Sequence, residues 1–314
     1  MNFLNKNLKW VCHHAHFDKS NLITKDLLEL STSHMKEKWY LMKQFKINYN
    51  HDDLISRMEM SVRKLTSQNC RHIRTFVDVD STVGLLCVNT MRELKNRWRN
   101  MGVDIQIATQ PVEGLAGNSE NIKFYEDAAS VCDIVGCLPN RDGRYFDEHL
   151  DIAFTTAKRF GKPVEAHLDQ LNVPYENETD MFCDFVEKYG YEGNARAIHS
   201  ISLACQPLDI QKEVANRLCK LDVGVIVCPS AAISMTQHSE YISPIHNSIA
   251  PVQVLLDAGV NVGLGMDNIN DLFMPFCDGN MEFELRLLAE STRIYNLDVN
   301  KVTPRTSGNS LFNM

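Results

Sequence analysis

An alternation running along almost the whole chain limits its fold more than any other feature. Short apolar runs rich in β-branched residues recur, and most are followed by a longer segment of helical periodicity, the pattern of parallel strands joined by crossover helices. The runs are Lys9–His13, His72–Val77, Asp104–Ala108, Ile134–Leu138, Pro163–His167, Ala195–His199, Gly224–Cys228 and Asn261–Gly265. Between and after them, Asp52–Leu65, Val83–Trp98, Phe146–Phe160, Glu178–Tyr189, Asp209–Lys220, Ala250–Ala258 and Asn280–Tyr295 read as amphipathic helices. Eight strands fit a closed α/β barrel of the (β/α)8, TIM type better than an open sheet. Such a barrel occupies roughly 250 residues as one unit, so residues 1–314 are expected to form a single domain. Residues 237–247 have no clear period and read as a loop over the site.

Composition narrows the partners. With 44% apolar and 23% charged residues the chain can bury a large core without staples. A formal charge of −8 lacks the basic footprint for phosphate backbones, so no nucleic acid is expected. The start MNFLNKNLKW is too polar for a signal peptide, and no run approaches the roughly 20 apolar residues of a membrane span. A cytoplasmic protein with no membrane partner is expected. Ten cysteines are scattered from Cys12 to Cys277 without a C-x-x-C pair, which favours buried, reduced thiols.

In a barrel of this kind the reacting groups sit at the C-terminal ends of strands. His14 and His16 follow the first strand two residues apart, so both imidazoles can face the same side. His167 and His199 close the fifth and sixth strands, and Asp267 follows the eighth. Each alone reads as a hydrogen-bonded residue at a strand end; together they form a donor set. Three neutral imidazoles and a carboxylate suit one borderline divalent ion, Zn or Fe, with a position left for water.

The order His-x-His, strand-end His, second strand-end His and Gly-x-Asp resembles the amidohydrolase superfamily. Four further segments resemble its cytosine deaminase-like branch: His16-Phe17-Asp18-Lys19; Arg74 to Asp80 (RTFVDVD); Pro111-Val112-Glu113-Gly114; and Met266 to Asp271 (MDNIND) followed by Pro275-Phe276. The likeness runs from about Val11 to the helix around Leu288. It implies metal ligation by His14, His16, His167 and Asp267, with His199 beside the attacking water or the substrate. Asp267 is then the group that moves the water's proton to the leaving nitrogen, and His199 orients the attacking oxygen.

Two departures bear on substrate. The branch has a Glu three residues after the third metal His, where Gln170 stands here, and an amide delivers no proton at neutral pH. It also has a Gln where Val112 stands. Both argue against cytosine itself. Lys19 and the Asp267-Asn268-Ile269 run are closest in motif to the N-isopropylammelide amidohydrolases. That likeness gives Lys19 a role as donor to a ring carbonyl, or as helper of the leaving amine if the ion lowers its pKa; pairing with Asp18 on the surface is the plainer alternative. Gln170 is a catalytic candidate, and Glu113, Val112, Asn140, Asp142 and Asn268 are candidate substrate contacts.

The expected reaction is hydrolytic removal of an amine or ammonia from a small nitrogen heterocycle, or opening of one. The alternatives are hydrolysis of a non-cyclic amide, or a catalytically impaired barrel that binds or regulates. Relatives of this kind carry a small β-sandwich, yet 13 residues precede His14 and the chain stops at Met314, so the sandwich is expected to be missing. Phe3, Leu4, Leu8, Trp10, Leu311 and Phe312 then cluster where it would attach, which suggests a homodimer.

Overall fold

The structure is a computed structural model that describes residues 9–33, 35–234 and 249–294. Eight strands appear in order: β1 (Trp10–Cys12), β2 (Cys70–Asp78), β3 (Asp104–Gln110), β4 (Val135–Cys137), β5 (Val164–Leu168), β6 (Ala195–His199), β7 (Gly224–Val227) and β8 (Val262–Leu264). All named pairings are parallel and sequential. Two further contacts close the ring. Ala108 bridges Ile134 between β3 and β4, and Ala15 bridges Asp267 beyond β1 and β8. The second closure is held by backbone bonds from Met266 N to His14 O (2.8 Å) and from His16 N to Asp267 O (3.2 Å). The seam of the barrel is therefore made by the same short segments that carry three of the candidate ligands.

Around the ring lie α1 (Lys25–Leu30), α2 (Met35–Lys46), α3 (His51–Ser67), α4 (Leu86–Arg99), α5 (Ser119–Val131), α6 (Phe146–Phe160), α7 (Glu178–Tyr189), α8 (Leu208–Lys220), α9 (Pro229–Ser234), α10 (Val252–Asp257) and α11 (Met281–Thr292). Both faces of β5, β6 and β7 are buried, as parallel strands covered by helices outside and by the barrel interior inside must be.

Three differences from the sequence reading have physical causes. Helix α2 was not expected, because its inward positions Lys38, Trp39, Met42 and Lys46 include two lysines. Helix α5 was not expected either: its buried positions are Asn121, Tyr125, Ala128 and Ala129, small or polar rather than aliphatic. The fourth helix begins at Leu86 rather than Val83, because Asp80 accepts from the backbone N–H groups of Thr82 and Val83 and holds a turn there. The expected loop 237–247 and the terminal residues Phe3, Leu4, Leu8, Leu311 and Phe312 lie outside the described residues. Trp10 is buried at the start of β1, so it contributes nothing to an exposed terminal patch.

The barrel interior is layered. Phe76, Ala108, Ile134, Ile198 and Ile226 form an apolar plug. Two residues earlier on their strands stand Arg74, Gln106 and Arg196, with Glu165 from β5; strand alternation puts all four on the inner side. Arg74 donates to Glu165 and, at 2.7 and 3.1 Å, to Gln106. Arg74 ties this charged floor together, Arg196 lies 4.0 Å from the same Glu165 carboxylate, and the plug stands between the floor and the C-terminal mouth.

Candidate metal centre and active-site pocket

The five expected donors meet at the mouth. His16 Nε2 lies 3.3 Å from His167 Nε2 and 3.1 Å from Asp267 Oδ1, and His14 Nε2 lies 3.4 Å from the same carboxylate oxygen. His199 Nε2 is 3.9 Å from Asp267 Oδ2. The imidazoles crowd one another: ring centroids are 4.8 Å apart for His14 and His16, 4.9 Å for His14 and His167, and 5.5 Å for His167 and His199. Local backbone explains the aim. His14 and His16 flank Ala15 at the seam, while His199 and Asp267 sit at φ 76° and 60°, left-handed values that cost of order 1–3 kcal/mol for residues with a Cβ. Such strain turns a side chain inward where a straight strand would not.

Burial dominates the electrostatics. It pushes the pKa values of His14 and His199 down to about 4, with Asp267 opposing. It also holds His16 and His167 below the ordinary histidine range. Burial pushes the Asp267 carboxyl up, but hydrogen bonds from His14 and His16 outweigh it and keep the acid well below its usual range. At neutral pH the cluster is therefore neutral imidazoles around a carboxylate. Nδ1 of His14, His16 and His199 has no hydrogen-bond partner despite burial. His167 Nδ1 lies 3.3 Å from the Cys137 carbonyl, an acceptor only, so that nitrogen carries the proton and Nε2 presents a lone pair to the cluster. Buried neutral imidazoles and one ionised carboxylate packed this closely fit a divalent cation. His14, His167 and His199 form one group able to hold an ion, and His14, Asp267 and Cys228 form another. Cys228 was not singled out from sequence, where it reads as one more buried thiol.

The other candidate residues divide. Gln170, Asn268 and Val112 line the pocket beside the cluster. Lys19 lines it too, and its ammonium is buried between Asp78 (2.5 Å) and Asp18 (3.3 Å). Burial pulls its pKa down, but the two carboxylates outweigh it and raise the value above the ordinary lysine range. This corrects the surface setting considered for Lys19, which is buried although it does pair with Asp18. Glu113, Asn140 and Asp142 are not brought to the pocket. Glu113 accepts from Lys43 (2.6 Å) and Thr82 (2.5 Å). Asn140 donates to Glu176 and Glu178. Asp142 holds the backbone N–H groups of Leu115 and Ala116 and the His149 ring.

The pocket has an outer cavity of about 160 Å³ that opens outward from His199 and Asp267 and an inner one of about 40 Å³ bordered by His16, Lys19, Trp39, Val112 and His167. Its wall was largely invisible in the sequence, because much of it comes from α2: Met35 and Trp39 face Phe273, with Tyr175 and Met274 further out. Helix α2 is fastened over the mouth by Lys46, which has no exposed side-chain surface and reaches Asp80 (2.5 Å), Asp78 (3.2 Å) and Glu113 (3.7 Å).

No family model matches the chain. It is 28% identical over 252 residues to an uncharacterized protein of Haemophilus influenzae, covering 79% of this chain and 90% of that one. It is 23% identical over 242 residues to the N-isopropylammelide isopropyl amidohydrolase of a Pseudomonas species, covering 76% of this chain but 56% of the relative. The chain thus spans little more than half of that enzyme. Among solved structures, 5-methylcytosine deaminase from Klebsiella pneumoniae liganded with 5-fluorocytosine superposes with a TM-score of 0.85 at 20% identity, over 94% of this chain and 72% of that one. An amidohydrolase from Burkholderia ambifaria with bound Zn superposes with a TM-score of 0.65 at 12% identity, over 95% and 84%. The likeness to amidohydrolases and heterocycle deaminases expected from the motifs is found in both comparisons, and the shared fold is their barrel.

Proposed function

We propose that this chain is a metal-dependent hydrolase that removes an amine or ammonia from a small nitrogen heterocycle, or opens a related cyclic amide. The observation that carries this reading is the convergence of four buried, partner-poor imidazoles and one ionised carboxylate where the pocket meets the barrel mouth. The names of the Pseudomonas and Klebsiella proteins, an amidohydrolase and a deaminase, support the same reaction class.

We assign ligation of one Zn or Fe ion to His14, His16, His167 and Asp267. When bound, such an ion supplies Lewis acidity toward water and toward the carbon–nitrogen group to be split. Asp267, ionised at neutral pH, accepts the proton of the attacking water and returns it to the leaving nitrogen. His199 stands 3.9 Å from Asp267 and orients the attacking oxygen. Lys19, charged and pinned by Asp18 and Asp78, donates to a ring carbonyl. Gln170 and Asn268 offer amides to the ring edge; Gln170 holds and does not protonate. Val112, Trp39 and Phe273 form a flat apolar wall that favours a planar ring over a flexible amide. Among the described residues no helix is long and apolar enough to cross a membrane, and ten cysteines without a disulfide among them support a reducing, cytoplasmic setting.

The test is a screen of aminopyrimidines, triazines, pterins and cyclic ureides for release of ammonia or amine by metal-loaded protein. Turnover of a ring, lost in Asp267→Asn, is the expected result. Turnover of open-chain amides alone would shift the reading to a non-cyclic amidase. A metal-free protein inert to all of them would leave a binding or regulatory barrel.

A further inference from the structure

The pocket carries a positive charge that the proposed chemistry does not use. Asp267 is the acidic residue among its described lining, while Lys19, Lys36 and Lys38 also border it. Lys19 is balanced by two carboxylates. Lys38 is not. The residue is 7% exposed; among the described residues it forms no ion pair within 4 Å, and its ammonium has one hydrogen bond, to the Phe273 backbone carbonyl at 3.5 Å. Asp271 is the carboxylate whose charge acts on it. That group is already occupied: Asn268 Nδ2 donates to it at 2.5 Å, Phe273 N at 2.9 Å and Met274 N at 3.0 Å. Burial pushes the Asp271 carboxyl up to about 6 and lowers the Lys38 pKa.

An ammonium has three donors and no acceptor, and burying it with a single long bond to a neutral oxygen is costly unless something else supplies charge. A ligand carboxylate would supply it through a charge-assisted hydrogen bond. Position agrees with this. Lys38 lines the same cavity as His199, Asp267, Gln170 and Phe273, so a ligand held there meets both the His and Asp cluster and Lys38.

We infer that the substrate is a nitrogen heterocycle bearing a carboxylate, and that Lys38 selects it. The inference rests on the hydrolase reading above and narrows its substrate class. A site built around a buried cation discriminates strongly against an analogue that lacks the matching group, because the cation is then left without a partner.

Titration calorimetry on the metal-loaded protein tests this with paired probes: pterin-6-carboxylate against pterin, and uracil-5-carboxylate and uracil-6-carboxylate against uracil. At least one carboxylate is expected to bind about tenfold or more tightly than its neutral parent, with the margin shrinking as salt rises. Lys38→Met removes the margin, so acid and parent bind alike, whereas Lys38→Arg keeps most of it; melting curves of both variants verify folding. A margin that persists in Lys38→Met, from a carboxylate held by the metal or by Lys36, overturns the inference. So does equal binding of acids and parents to the parent protein. If neutral rings are hydrolysed and acids gain nothing, the hydrolase reading stands and the inference falls. If acids bind with a Lys38-dependent margin but no ring is split, carboxylate selection stands and the hydrolase reading falls.

Discussion

Replacing Lys46 by Met removes the fastening of α2 without changing side-chain length much. Its ammonium is fully buried and shared by Asp80 at 2.5 Å, Asp78 at 3.2 Å and Glu113 at 3.7 Å. After the substitution Asp78 retains Lys19 and Glu113 retains Lys43, but Asp80 keeps only the backbone donors of Thr82 and Val83. Removing one partner of a buried pair typically costs 3–5 kcal/mol, because a charge stays behind without compensation. We expect about that loss in urea-induced unfolding at pH 7, with Asp80→Asn in the same background restoring about half. The pH dependence has a definite sign. Burial holds the Asp80 carboxyl above its ordinary value of 3.8 even with Lys46 beside it, and losing Lys46 raises it further. As pH falls the stranded carboxylate takes up a proton and its uncompensated charge disappears, so the deficit of the variant should shrink as pH falls toward about 4. Because α2 carries Met35 and Trp39, KM is expected to rise more than kcat falls. A loss under about 1 kcal/mol, or one independent of Asp80, would refute this account of Lys46.

Gly265→Ala should cost metal affinity, since a Cβ there would stand 2.7 Å from His14 Cβ and 2.8 Å from Cys228 Sγ; metal titration of the variant checks this, and an unchanged Kd would show that the seam can yield. Glu176 and Glu178, pushed up to about 7 and 8 by burial and then by neighbouring groups, hold protons in the folded state that the unfolded chain releases. Stability should therefore fall, by a few kcal/mol at most, as pH rises from about 4.5 through 8, and melting curves of Glu176→Gln/Glu178→Gln should be flatter over that window. Gln170→Glu restores a carboxyl beside the cluster and should create weak deamination of a pyrimidine; identical activity profiles for variant and parent across a pyrimidine panel would remove Gln170 from proton transfer.

How far the sequence could be read depended on which forces left a pattern in it. The eight strands were legible because parallel strands buried on both faces demand apolar runs, and His167, His199 and Asp267 were legible because a donor at a strand end is conspicuous after such a run. Helix α2 escaped because two of its inward residues are lysines, one fastened to carboxylates and one facing the pocket, so apolar periodicity misplaces its inner face. The Asn118 side chain that accepts from Asn121 N was the available signal for α5. Glu113, Asn140 and Asp142 do stand on strand-end loops, yet local polar groups claim each of them; sequence position gives the neighbourhood of a side chain and not its partner. Cys228 shows the converse, a thiol that looks like core until three-dimensional closure sets it beside His14 and Asp267.

Everything proposed for the reaction depends on His14, His16, His167 and Asp267 holding one ion. Equilibrium dialysis against Zn with elemental analysis, run on the parent and on His14→Ala, His167→Ala and Asp267→Asn, tests it most directly. About one tightly bound equivalent is expected in the parent, and at least a tenfold loss of affinity in each variant. A parent that binds no ion, or variants that bind as the parent does, would contradict it.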